Sequence, residues 1–290
     1  MNRMKGLLAG TTLHLVLAIV SVAAIIPFLL VLSASLSSER SIALSGFSLI
    51  PREWSLDAYR YILRGDSTVL DAYRVTIGVT AIGTFFGVLI TTMLAYAITR
   101  KGLKYARPMS LFVYLPFLFN GGLVPFYILL LKLGFRNSLA GLIIPMLVNS
   151  FNVFLMTGFM RGLPYEIFES ARMDGAGEFV IFFRIVLQLS APALATLTLF
   201  ICLGYWNDWY LSLLLIDDRA RYPLQFLLRQ IISNAEFARQ NPKMSSMISG
   251  TPHESSKMAT VIVTVGPILL AYPYLQKYFI KGITLGAVKG

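Results

Sequence analysis

Residues Val75–Thr99 read VTIGVTAIGTFFGVLITTMLAYAIT, a long apolar run that contains no charged side chain. The hydrocarbon core of a bilayer is about 30 Å thick, and an α-helix needs about 20 residues to cross it. A transmembrane β-strand would instead show about ten residues of alternating polarity, and this run does not alternate. The run therefore predicts a membrane-spanning helix.

Five further stretches of similar character flank this run. Hydrophobic residues make up 56% of the chain and charged residues only 13%, whereas a soluble domain averages roughly a quarter charged residues. The first stretch is too long for an ordinary signal peptide, so we expect it to be a span. We predict an all-α polytopic membrane protein, a single transmembrane domain over residues 1–290, with six helices near Leu13–Ser33, Val75–Thr99, Met109–Leu131, Leu139–Met160, Ala191–Ile216 and Met258–Phe279.

The basic residues between the spans indicate the orientation. Lys and Arg are divided almost evenly between the two sides, but four of them crowd into the short connection 100–107. Short basic loops stay in the cytoplasm, whereas long loops cross largely regardless of charge. We therefore expect both termini inside and the long segments 36–74 and 217–257 outside.

The polar segment 161–178 reads RGLPYEIFESARMDGAGE and predicts a short, capped helix between the fourth and fifth spans. Pro164 suits the start of a helix, where its missing N–H has no partner to lose. Glu166 and Glu169 favour the positive N-terminal end. Gly175 can adopt the left-handed conformation that ends a helix.

One face of this predicted helix carries Tyr165, Phe168, Ala171 and Arg172, which are three or four residues apart. Two interpretations account for such a face. The helix could lie along the lipid interface, or it could dock against a partner. Periodicity by itself favours the lipid interface.

A resemblance to a known family bears on this choice. The run Glu169–Ala176, ESARMDGA, resembles the EAA loop of binding-protein-dependent ABC importers, and Ile185–Gln188, IVLQ, resembles the continuation of that motif. Ser170 replaces an alanine and Gln188 replaces a proline of the family pattern. The resemblance implies the six-helix type I importer permease fold, in which the segment 161–188 forms a cytoplasmic coupling loop. Its implied contacts with the ATP-binding subunit are Glu169, Ser170, Ala171, Asp174 and Gly175.

Other segments resemble sugar permeases of the maltose-importer type. PREWSLDAY at 51–59 resembles the segment that follows the first span in those permeases. A narrower branch, which imports oligosaccharides including uronates such as alginate, is resembled by NGGLVP at 120–125, GYWN at 204–207, YPLQ at 222–225 and the run from QKYF at 276–279 to Gly290. The resemblance implies a permease in the inner membrane of a bacterium that moves oligosaccharides inward. It also implies as partners a second related permease, paired ATP-binding subunits and an external solute-binding protein, which the outer loops around Trp54 and Arg219–Arg239 would meet.

The chain contains no Gly-x-x-x-x-Gly-Lys-Ser/Thr run to cradle phosphates. We therefore expect that it is not an enzyme and binds no cofactor, with ATP and Mg²⁺ held by the partner subunits. His14 and His253 are far apart and have no ligand-like companions, so we expect no metal site. The formal charge of +11 comes from residues scattered between apolar blocks, so we expect membrane anchoring and no nucleic-acid partner.

Polar residues within the predicted spans are candidates for the solute path. Tyr205, Trp206, Asn207 and Asp208 cluster in the fifth span, and such rings and polar groups suit a sugar. An aromatic belt at the membrane interface explains the rings equally well. The second-rank candidates are Asn149 and Asn152, for which helix–helix hydrogen bonding is the alternative.

Two rival functions make different demands on the spans. A secondary transporter would need buried ionisable residues for ion coupling, and the spans contain almost none. An intramembrane enzyme would need a nucleophile–base set or a metal cluster, which the spans also lack. Gly78, Gly83 and Gly87 in the second span predict close helix packing instead.

Overall fold

The computed structural model describes residues 2–64, 68–240 and 254–287. This part of the chain is helical throughout, apart from short turns and one isolated bridge between Ser37 and Trp54. The helices are α1 Asn2–Ser35, α2 Glu39–Ser45, α3 Asp57–Arg64, α4 Thr68–Thr99, α5 Ala106–Leu118, α6 Leu123–Lys132, α7 Leu139–Ile143, α8 Ser150–Arg161, α9 Tyr165–Met173, α10 Glu178–Leu189, α11 Ala191–Trp206, α12 Tyr210–Leu215, α13 Leu224–Gln240 and α14 Glu254–Ala287.

Three predicted spans are single long helices. Within the described residues, Thr12–Ser35 and Val69–Thr99 are each long and apolar enough to cross a membrane. The sixth predicted span lies within α14. None of the most apolar stretch of α1 is buried inside the chain, and a helix that is apolar all round requires lipid or other protein around it.

The third and fourth predicted spans are interrupted in the structure. Residues 119–122 separate α5 from α6 in the middle of the predicted span 109–131. The predicted span 139–160 is a pair, Leu139–Met146 and Ser150–Arg161, bent by 43°. Its second helix starts at Asn149, whose side-chain Oδ1 accepts hydrogen bonds from the N–H groups of Phe151 and Asn152.

The fifth span also differs from its prediction. Its helical pair runs from Glu178 to Trp206 with a bend of 84° at Ser190, so the predicted loop 161–188 contains all but the last residue of α10. Pro192 follows the bend, where it lacks the N–H that would continue a straight helix. The prediction placed these residues in the coupling loop, although the buried residues Phe182 and Val186 are four apart, as on one face of a helix.

The chain divides into two compact units, one formed by residues Leu70–Leu227 with Ile268–Gly290. The core of this unit draws one or more fully buried side chains from each of five helices: Leu142, Met156, Ile181, Leu197 and Leu215. Burying a side chain of this kind stabilises a fold by about 1.5–3 kcal/mol in water. The core therefore joins the helices on both sides of the segment 161–178.

Tyr205 ties three helices of this unit together. Its ring packs on α4 at Gly83, where an added Cβ would lie 2.4 Å from the ring carbon Cζ. Its hydroxyl donates a 2.8 Å hydrogen bond to the carbonyl oxygen of Ile143 at the end of α7. The predicted close packing is thereby confirmed at Gly83 and Gly87. It is not seen at Gly78, where an added Cβ would meet no atom within 4 Å.

The other unit comprises Met1–Val69 and Leu228–Pro267. Within it, the Glu39 carboxylate accepts the N–H groups of Glu254 and Ser255 at 2.9 Å, and also the Ser255 hydroxyl at 2.8 Å. A carboxylate at a helix N-terminus both satisfies free N–H groups and complements the helix dipole. The two predicted outer loops thus meet here, although residues 65–67 and 241–253 of those loops lie outside the described residues.

Gly83→Ala should lower the melting temperature of the detergent-solubilised protein. The new methyl group must displace the Tyr205 ring and weaken its hydrogen bond to Ile143, and overpacking of this kind costs about 1–3 kcal/mol. Gly78→Ala is the control, because it lies on the same helix in open space. Equal melting temperatures for the two variants would contradict this account of Tyr205.

Candidate functional site

The helix α9 has the ends that the sequence predicts. Pro164 precedes its first residue, and Gly175 follows its last turn with φ of +81°. The Gly175 N–H donates to the carbonyl of Arg172, and the Ala176 N–H donates to that of Ala171, each at 2.9 Å. These paired bonds form a Schellman motif, which satisfies the last carbonyls of the helix and fixes the direction in which the chain leaves.

The inner face of α9 packs on its own chain. Phe168, Ala171 and, just beyond the helix, Ala176 are partly buried against the core of the unit. The Arg172 guanidinium donates from Nη1 to the Tyr165 hydroxyl at 3.2 Å. The face on which the sequence analysis expected lipid or a partner is therefore largely covered by the chain itself.

A single carboxylate, that of Glu178, links this segment to the end of α4. It accepts a hydrogen bond from the Tyr96 hydroxyl at 2.6 Å and a charge-assisted bond from Arg100. Nε of Arg172 lies 3.6 Å from the same carboxylate. No local sequence pattern reveals Glu178, because its partners Tyr96 and Arg100, at the end of α4 and just beyond it, lie about eighty residues away along the chain.

Cations and rings add to this linkage. Lys101 Nζ lies 3.9 Å from the centroid of the Tyr165 ring, within the range of a cation–π interaction. A cavity of about 240 Å³ lies behind α9. Its lining is mainly aromatic and basic, and includes Tyr96, Arg100, Lys101, Arg161, Tyr165 and Phe168.

The outer face of α9 is bare and acidic. Glu166 and Glu169 are exposed on it, and Met173 is 88% exposed. Four of the five predicted coupling residues are exposed, namely Glu169, Ser170, Asp174 and Gly175, whereas Ala171 is half-buried on the inner face. The helix α9 thus has one face packed on its own chain and one face available to a partner.

Three of the predicted path residues come together elsewhere in this unit. Asn149, Asn152 and Tyr205 line one cleft of about 400 Å³. Tyr205 is only 4% exposed, and its hydroxyl is engaged by Ile143. Asn149 caps α8 through its side-chain oxygen. Both residues therefore have structural partners within the chain, and their path role stays a prediction.

The remaining predicted path residues, Trp206, Asn207 and Asp208, lie where α11 ends. The Asn207 side chain donates to the carbonyl of Leu203 at 3.0 Å and accepts from Gln225 at 3.2 Å. The Asp208 carboxylate accepts the N–H groups of Tyr210 and Leu211. The polar groups that an aromatic belt leaves unexplained thus stabilise a helix break, and a solute contact for them also stays a prediction.

Comparison with known proteins identifies relatives over the whole chain. A rhamnogalacturonan and polygalacturonan transport system permease of Bacillus subtilis, YtcP, is 37% identical over 99% of this chain and 100% of its own length. A melibiose, raffinose and stachyose import permease of Bacillus subtilis, MelC, is 28% identical over 95% of each chain.

A solved structure agrees with the fold. One chain of a bacterial ABC transporter involved in the import of the acidic polysaccharide alginate matches 94% of this chain and 96% of its own length, with a TM-score of 0.83 and 27% sequence identity. The type I importer permease fold is thereby confirmed. Both compared permeases and this structure are transport components.

A family model supplies the assignment. The model for the inner membrane component of binding-protein-dependent transport systems matches residues 83–285, which include α9 and the break after α11. This match overrules the secondary-transporter alternative, since members of the family are subunits of binding-protein-dependent systems. The chain belongs to the binding-protein-dependent transport system inner membrane components, and it is a permease subunit of an ABC transporter.

Proposed function

We propose that this permease moves oligosaccharides inward and that α9 is its contact with an ATP-binding subunit. The observation that carries the proposal is the asymmetry of α9, which is anchored on one side and bare on the other. A partner groove with basic side chains would complement the acidic outer face.

The anchor provides a route for movement. A force applied to the outer face of α9 reaches α4 through Glu178 and reaches the buried core through Phe168 and Ala171. Partly exposed ion pairs each contribute only about 1 kcal/mol or less, so the packed side chains and the ion pairs act together. Closure of two ATP-binding subunits would then tilt the spans to which α9 is attached.

The same proposal covers the partners and the orientation. Both termini and α9 face the cytoplasm of a bacterium, and the segments 36–74 and 217–257 face a solute-binding protein outside. A second, related permease completes the path. ATP and Mg²⁺ belong to the ATP-binding subunits, and this chain supplies the route across the membrane.

The proposed substrates are oligosaccharides of acidic sugars. Polygalacturonan and rhamnogalacturonan are named for one relative, and the acidic polysaccharide alginate for the solved structure. Galacturonan carries a carboxylate on each sugar unit, so these polymers share acidic chemistry. Other relatives are named for neutral sugars such as melibiose and raffinose. The preference for acidic sugars is therefore a narrower proposal than oligosaccharide import.

Gly175→Val should weaken both the sugar stimulation of ATP hydrolysis and transport in the reconstituted importer. A β-branched residue is strongly disfavoured at φ of +81°, and the left-handed conformation costs an L-residue about 1–2 kcal/mol. We expect sugar-stimulated ATP hydrolysis to fall by a factor of roughly 5–30, the change that 1–2 kcal/mol makes in an equilibrium.

Gly177→Val is the matched control for this variant. Gly177 has φ of −72°, which any residue adopts, and an added Cβ meets no atom within 4 Å. Its stimulated hydrolysis should stay near that of the wild type. A Gly175→Val importer that transports normally would show that the α9 end is not part of the coupling route.

Single cysteines should report the orientation and the contact of α9. In a Cys202→Ser background, which removes the one natural cysteine, Met173→Cys should react with an impermeant thiol reagent only in inside-out vesicles. Trp54→Cys, 71% exposed, should react only in right-side-out vesicles. A bifunctional reagent on Met173→Cys should crosslink to the ATP-binding subunit, and the reverse vesicle pattern would invert the proposed topology.

ATP hydrolysis by the reconstituted importer with its binding protein should identify the substrate class. We expect stimulation by oligogalacturonate or alginate oligosaccharide, and weaker stimulation by the uncharged maltotriose. Equal or stronger stimulation by maltotriose would contradict the acidic preference. If none of these sugars stimulates hydrolysis, oligosaccharide import itself is contradicted.

A further inference from the structure

The break between α5 and α6 lies at membrane depth. At 1.5 Å per residue, helices of 13 and 10 residues extend only about 20 and 15 Å, and neither crosses a hydrocarbon core of about 30 Å by itself. In the predicted span 109–131 the two helices cross it together. The unwound residues Phe119–Gly122, hereafter the 119–122 break, then fall inside the hydrocarbon layer.

The backbone of the 119–122 break is poorly satisfied by the chain. The Phe119 N–H still donates to the carbonyl of Leu115 at 3.0 Å, and the Gly122 N–H donates to Oδ1 of Asn120 at 2.8 Å. The N–H groups of Asn120 and Gly121 have no acceptor among the described residues. Gly122, with φ of +86°, holds the turn in a conformation that other residues rarely adopt.

Other interruptions in the same unit are capped in part by side chains, although the N–H groups of Val148 and Asn149 also have no acceptor among the described residues. Asn149 caps the start of α8 through its side-chain oxygen. The Asp208 carboxylate accepts two N–H groups where α12 begins. Irregular backbone at membrane depth is tolerated only where it is buried in protein or lines a water-filled cavity. The N–H groups of Asn120 and Gly121 have no such cap, so the 119–122 break needs an external source of hydrogen bonds.

An open groove lies against the 119–122 break. Its volume is about 540 Å³, and Tyr210, the first residue of α12, faces the break across it. Aromatic rings, an amide and backbone groups make up much of its lining, which consists of Pro116, Phe119, Asn120, Gly121, Gly122, Leu123, Phe126 and Tyr210. Flat rings with a few polar groups between them suit the alternating apolar and hydroxyl surfaces of a sugar.

We propose that the 119–122 break and Tyr210 form part of the wall of the solute path, where water and then sugar hydroxyls bond to the free backbone groups. The inference rests on the proposed function for the identity of the solute as a sugar. It adds Phe119, Asn120, Gly121 and Tyr210 to the path. None of these residues was a candidate for the path in the sequence, although Asn120 and Gly121 belong to the segment NGGLVP that resembles oligosaccharide importers.

This assignment has a consequence for selectivity. No Asp, Glu, Lys, Arg or His residue lines the groove. The groove therefore accommodates acidic and neutral sugars alike. Discrimination between them belongs to other parts of the importer.

Thiol labelling of the assembled importer in membrane vesicles tests the wall assignment directly. Gly121→Cys in the Cys202→Ser background introduces a thiol where an added Cβ meets no atom within 4 Å. A charged methanethiosulfonate should modify it at least about tenfold faster than Phe112→Cys, because the reactive thiolate forms in water and not in hydrocarbon. Phe112 is the matched control, since it is 82% exposed on the regular part of α5.

The outcomes separate this inference from the proposed function. If Gly121→Cys is as slow as Phe112→Cys, the break is closed off by lipid or by the second permease, and the wall assignment is wrong whatever the substrate. Where oligogalacturonate stimulates ATP hydrolysis, it should also slow the labelling of Gly121→Cys; unchanged labelling under that stimulation rules out sugar contact at the break. Fast labelling without any stimulation by oligogalacturonate supports the water-filled wall and contradicts only the proposed substrate.

Discussion

Hydrogen bonding of the backbone at membrane depth is the constraint on which the rest of this structure depends. Lipid offers no partner to an N–H or a carbonyl, so each interruption of a span needs its own solution. The chain uses a side-chain amide at Asn149 and a carboxylate at Asp208. It uses a tyrosine hydroxyl at Ile143. Asn149, Asp208 and Tyr205, which were candidates for the solute path in the sequence, therefore stabilise helix ends.

The segment that meets the proposed ATP-binding subunit is stabilised differently, because it is polar and half-exposed. Its linkage depends on several modest contacts that converge on Glu178 and on the packing of Phe168 and Ala171. No single contact in this set is strong, yet together they join α9 to a long span and to the core. Under the proposed function, such a linkage transmits displacement without a rigid, buried ion pair.

The packing of Tyr205 on Gly83 explains why the spans remain together despite their interruptions. The absence of a side chain at Gly83 admits the ring, and the ring carries a hydroxyl to a helix end that would otherwise lack a donor. Helix association in membranes depends on close approach and on interhelical hydrogen bonds more than on the hydrophobic effect. One residue pair supplies both here.

The sequence by itself determined the helical membrane class, the positions of the long spans, and both ends of α9, because these follow from local composition and from the special conformations of Pro164 and Gly175. The breaks at 119–122 and 207–209 were missed because the long apolar runs around them favour continuous spans, although Asn120, Gly121 and Gly122 themselves favour a turn. Nor did the sequence reveal Glu178 as the anchor or Tyr210 as a groove residue. Those roles depend on partners distant along the chain, such as Tyr96 for Glu178, and only tertiary packing brings such groups within bonding distance.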